Sequence, residues 1–150
     1  MTRKHAREAA FHVLYALTFH GDATDDDVRD LLSPVSMAAW RGECAAYDSG
    51  PGAEYTYIES VVFGVRADAT ALVAQIGETS EERDVKRIAR VPMILMQMAL
   101  YEPTAIAGVT QAVAINEAVE LCKIYDPDAA GFVNGILGKL SRENANDELC

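Results

Sequence analysis

A chain of 150 residues, half of them apolar, is enough for one domain with a real core. No apolar run approaches the roughly 18 residues of a spanning helix, and no signal-peptide core follows the basic start Met1-Thr2-Arg3-Lys4-His5, so a soluble cytoplasmic domain is expected. The formal charge of −10 opposes a general nucleic-acid binder, and the scattered Cys44, Cys122 and Cys150 oppose a disulfide framework.

Periodicity predicts a first helix over residues 4–19, with Ala6, Ala10, Val13, Leu14 and Leu17 on its apolar face and Gly21 as its stop. Arg3, Arg7 and Phe11 lie four apart and share another stripe. Basic residues at a helix start oppose its dipole, which hints at an anion there; a merely solvated basic tip is the alternative. Thr24 followed by Asp25, Asp26 and Asp27 opens a short second helix, with Pro34 as its end. A patternless, glycine-rich stretch over 42–53 reads as a mobile loop.

A long helix follows, carrying Tyr57, Ile58, Val61, Val62, Val65, Ala69, Leu72, Val73 and Ile76, closed by Gly77. Ser80 with Glu81, Glu82 and Asp84 opens a segment reaching Arg90. Pro92 then calls for a kink or a fresh helix with Pro92 in its first turn. That helix, 93–102, is apolar nearly all round and should be the most buried element, with Pro103 stopping it. The last helices are predicted over about 110–125, with Val113, Ile115, Val119 and Cys122 inward, and over 129–141, with Phe132, Val133, Ile136, Leu137 and Leu140 inward. One domain over 1–141 with a polar tail over 142–150 results, and the class is all-α.

Catalytic chemistry finds no foothold. His5, His12 and His20 cluster on or beside the first helix, but no further ligands are suggested for a metal. Asn116, Glu117 and Glu120 read as a hydrogen-bonded helix surface. The glycines of 131–135 lack a phosphate-loop lysine. No cofactor is expected. Positive charge is nevertheless local. Residues 1–7 carry Arg3, Lys4 and Arg7 with no acid, and 85–101 carry Lys86, Arg87 and Arg90 with none. An acidic chain can still bind an anion at such places.

Four segments, in order, carry a family likeness. Residues 113–123 (Val-Ala-Ile-Asn-Glu-Ala-Val-Glu-Leu-Cys-Lys) closely resemble the signature of the NusB family, and Phe132-Val133-Asn134-Gly135-Ile136-Leu137 resembles its second hallmark. Upstream, 87–91 and Ala99-Leu100-Tyr101-Glu102 resemble the family's conserved helix, and Ala6-Arg7-Glu8-Ala9-Ala10 with Leu14-Tyr15 its opening helix. The resemblance implies about seven helices packed as two perpendicular three-helix bundles. It implies a non-enzymatic factor that pairs with NusE, a small-subunit ribosomal protein, binds single-stranded boxA RNA of ribosomal RNA transcripts and joins the RNA polymerase antitermination complex. Some members instead form homodimers that occlude the RNA surface.

Carried onto this chain, Arg3, Lys4 and Arg7 would meet phosphates, joined by Lys123. Phe132 would offer an aromatic face to a base, with core packing as its other reading. Tyr15, Arg90, Gln97 and Tyr101 would serve the partner surface. Asp128 falls in the RNA-facing loop, where an acid tempers affinity. Pro92, Met93, Gln97 and Thr110-Gln111-Ala112 depart from the family pattern by removing charge. They leave open a second reading, a diverged dimeric interaction module with little RNA affinity.

Overall fold

The computed structural model describes residues 2–40, 53–80 and 84–149, and among these the secondary structure is helical throughout, without strands. Seven α-helices follow one another: α1 (Arg3–Leu17), α2 (Asp25–Leu31), α3 (Pro34–Trp40), α4 (Ala53–Thr79), α5 (Arg90–Ala105), α6 (Gln111–Tyr125) and α7 (Ala130–Leu149). Short 3₁₀ turns stand at Val85–Arg87 and Pro127–Ala129. The chain divides into two compact units, Met1–Phe63 and Gly64–Cys150.

In the first unit, Thr2 caps α1 by accepting from the His5 amide at 3.1 Å. Ala6, Ala9, Ala10, Phe11, Val13, Leu14 and Leu17 are buried, the stripe that the periodicity predicts. Gly21 does not end α1. The helix stops at Leu17 and tightens through i→i−3 bonds as far as His20, and Gly21 lacks a positive φ. Thr24 and Asp27 form a reciprocal capping box on α2, at 3.2 and 2.9 Å. That hydrogen bonding holds the exposed Asp27 carboxyl below its ordinary pKa. Val28 and Leu32 close over the unit's core with Tyr57, Ile58, Val61 and Val62 of α4, and the Tyr55 hydroxyl donates to the Leu32 carbonyl. Pro34 not only follows the end of α2 but opens α3, a helix the sequence reading did not expect. Ser33 accepts from the Ser36 amide at 3.2 Å, and Pro34 takes the first helical position, where its missing N–H costs nothing. The loop expected over 42–53 lies outside the described residues but for Ala53, which starts α4; Cys44, Glu81, Glu82 and Cys150 lie outside them too.

In the second unit α4 runs through Gly77 to Thr79, and the Ser80 amide still bonds the Ile76 carbonyl at 3.0 Å. Asp84 caps the 3₁₀ turn that follows, and a fresh helix begins at Arg90 with Pro92 in its first turn. Ile94, Leu95, Met96, Met98 and Ala99 are buried, so α5 is the deeply buried helix expected. Pro103 does not stop it. The helix continues to Ala105, because a proline near a helix end removes a single backbone bond and the end is already short of partners.

α6 packs against α5 and α7. Its buried stripe is Ala114, Ala118, Leu121 and Cys122, and Val113, expected inward, is 46% exposed. Alanines let α6 approach closely, which sets the phase. Cys122 is fully buried as a small core filler, its thiol 3.3 Å from the Asp126 carbonyl; burial, then the Asp126 charge, pushes the thiol pKa up. Beyond Arg142, where a polar tail was expected, the backbone remains helical to Leu149.

Candidate nucleic-acid interface

Arg3 and Arg7 do share a stripe of α1, but the stripe turns onto α4 rather than to solvent. Arg3 Nε donates to Glu54 Oε2 at 2.6 Å, and the Arg3 guanidinium lies 4.3 Å from the Tyr57 ring centre. Arg7 is 6% exposed, with its guanidinium 5.7 Å from the same ring. Two cations stacked about one aromatic, one of them paired with a carboxylate, form a structural cluster of the first unit. It also accounts for a basic helix start: the misplaced charge meets Glu54 and a π face instead of a free anion. Lys4, between them in sequence, is exposed.

Further along α1, Tyr15 is 37% exposed and Phe19 55% exposed. Phe11, Tyr15 and Phe19, four apart, stack along the helix with ring centres 6.1 and 5.3 Å apart. Sequence reasoning singled out Tyr15 and missed Phe19, although the spacing was visible. His12, half-buried beside Phe11, is held below its ordinary pKa by burial, with Glu8 pulling the other way.

The second unit holds the other expected residues. Phe132, in the first turn of α7, is half-buried and lines a cavity of about 260 Å³, so its place falls between a core residue and an open aromatic face. The cavity is also lined by Arg87, Pro92, Asp126 and Asp128. Arg87 and Asp126 are additions that sequence reasoning did not place here; the one signal was the acid-flanked Asp126-Pro127-Asp128 turn. Lys123 is exposed and donates to Glu120 at 3.2 Å, a surface pair worth little.

Of the expected partner residues on α5, Arg90 is exposed at its start and Gln97 is half-buried. Tyr101 is largely used by the fold. Its phenol occupies the space where a side chain at Gly64 would stand, and burial followed by the Asp68 charge pushes its pKa up. Tyr101 also lines a second cavity of about 330 Å³ with Asp68, Gln75 and Leu137. Among the described residues no three His, Cys, Asp or Glu side chains stand where they could share a metal ion, and no helix is long and apolar enough to cross a membrane.

Comparison with known proteins gives a coherent result. The model of the NusB family matches residues 4–142. The transcription antitermination protein NusB of Desulforamulus reducens is 33% identical over 141 residues, covering 93% of this chain and 90% of that protein. Its counterpart in Lactiplantibacillus plantarum is 34% identical over 149 residues, covering 97% and 99%. A solved structure of antitermination factors NusB and NusE in complex with double-stranded RNA superposes with a TM-score of 0.73 at 20% identity, covering 94% of this chain and 96% of that one, a likeness of fold.

Proposed function

The chain belongs to the NusB family, and we propose that it is a transcription antitermination factor that binds boxA RNA of ribosomal RNA transcripts together with NusE. The observation that carries this reading is the family match over residues 4–142. The related factor seen with NusE and RNA supports the same partners. The chain acts by binding, without catalysis, in the cytoplasm, as part of the RNA polymerase antitermination complex.

The charges define how it binds. Arg3 and Arg7 are engaged within the first unit, which leaves Lys4 and Lys123 as the exposed phosphate contacts among the expected residues. Two contacts to a single strand give a salt slope of roughly −1.4, at about 0.7 per contact. A chain of net charge −10 with so shallow a dependence binds RNA weakly alone, so the ribosomal protein supplies the remaining affinity. Phe132 offers a base its half-exposed ring.

Titration of boxA-bearing RNA with and without NusE tests this. NusE is expected to tighten binding at least tenfold, and an unchanged affinity refutes the reading. The exposed Tyr15 and Phe19 rings favour a second one, a dimeric interaction module in which Gln97 and Met93 face a drier contact. In that case sedimentation at micromolar concentration shows a dimer, and NusE leaves RNA affinity untouched.

A further inference from the structure

The cavity at the C-terminal end of α5 has no part in the contacts expected for RNA. It lies wholly within the second unit, among α4, α5, α6 and α7. At about 330 Å³ it enters the range of roughly 300–1,000 Å³ typical of small-molecule sites. Leu72, Leu100, Ile115 and Leu137, one from each helix, give it apolar walls. Tyr101 reaches α4 at Gly64, and Asp68, one turn further along α4, stands beside the phenol in the lining.

The polar groups of this lining call for a donor. Asp68 is its one charged residue, and among the described residues the carboxyl makes no ion pair or hydrogen bond. The Tyr101 hydroxyl makes no hydrogen bond among the described residues either. Pro103, also in the lining, has no N–H, so the Ala99 carbonyl lacks its i→i+4 helical donor on the same wall. The side-chain amides of Gln75 and Asn144 suit either polarity, so Asp68 decides the sign of the ligand. A carboxylate only accepts hydrogen bonds, whereas an ammonium only donates them, three at once. An anion would be repelled, and a polyamine would find neither a second acid nor a use for the aliphatic walls.

We propose that this cavity binds a small primary amine with a compact apolar body. Asp68 and the Tyr101 hydroxyl accept from the ammonium, and Leu72, Ile115 and Leu137 enclose the body. Neither Lys123 nor Phe132 lines the cavity, so the site does not depend on RNA binding.

The test titrates the full chain with phenethylamine, with its neutral counterpart phenethyl alcohol, and with ethylamine, which has the charge but not the body. Isothermal calorimetry measures affinity, and amide NMR shifts locate the ligand. Phenethylamine is expected to saturate the site and to bind at least about tenfold more tightly than either of the others, the scale of one hydrogen bond to a charged group. Asp68→Asn is expected to erase the advantage of the amine over the alcohol. Ala71→Phe, at an exposed position of the lining, is expected to fill the cavity and abolish binding, with folding of both variants checked by circular dichroism. Equal binding of amine and alcohol overturns the role of Asp68. Equal binding of phenethylamine and ethylamine reduces the contact to surface ion pairing and overturns the cavity as its seat, as does binding that survives Ala71→Phe. Absence of saturable binding overturns the site altogether and leaves the RNA-binding reading as it was.

Discussion

Gly64→Ala is the sharpest probe of the packing that places α5. An alanine methyl at position 64 would stand 1.9 Å from Tyr101 Oη and 2.0 Å from Cζ, where non-bonded contact settles near 3.5–4.0 Å. Either the phenol leaves its place or α4 and α5 move apart, and overpacking of this kind costs about 1–3 kcal/mol. Replacing a helix-interior glycine by alanine returns about 1 kcal/mol. The net expectation is a loss of up to about 2 kcal/mol, or several degrees in Tm at roughly 2–4 °C per kcal/mol. Tyr101→Leu removes the ring, so in that background Gly64→Ala should gain about 1 kcal/mol instead. Urea unfolding followed by circular dichroism on all four proteins measures both steps. Stabilisation by Gly64→Ala alone, or the same loss in both backgrounds, refutes the contact. Displacement of the phenol into solvent should also bring its pKa back towards the ordinary tyrosine value, readable by absorbance titration.

Other consequences are open to direct measurement. His12 is held below its ordinary pKa, so the fold favours the neutral ring: stability should be fully present above the unfolded value near 6.5 and be lost as pH falls through it towards the lower folded pKa. His12→Gln should flatten that loss, and an unchanged pH–stability curve contradicts the assignment. Cys122, buried with its thiol pKa raised, should resist alkylation in the native protein and react readily in denaturant, as peptide mass mapping would show. Thr24→Ala should cost about 1 kcal/mol through the lost capping box and let the Asp27 pKa rise, the latter by NMR titration.

Helix identity was legible because the Thr24 cap and the aspartates after it agree, and because the apolar stripes of α1 and α7 are wide. The errors have local causes. The Ser33-Pro34 pair carries a helix-start signature, but Pro34 was weighed only as a stop. On α6 Cys122 is inward as expected but Val113 is not, because valines outweigh alanines in a hydrophobic pattern, whereas close helix packing selects Ala114 and Ala118. For Arg3 and Arg7, spacing gives a shared stripe and not the direction it faces; Glu54 and Tyr57, which decide that, lie some fifty residues on. The cavity at Phe132 joins segments about forty residues apart, so Arg87 and Asp126 could not be brought together from sequence alone.

The stacking of Arg3 and Arg7 around Tyr57 commits two cations of an already acidic chain to contacts within the first unit, Arg7 buried and Arg3 partly so. The net charge, and with it the long-range repulsion of polyanions, stays as it was, but fewer cations are open to direct phosphate contact. On the proposed function, the few outward lysines then hold a transcript only beside a companion protein that supplies the missing charge.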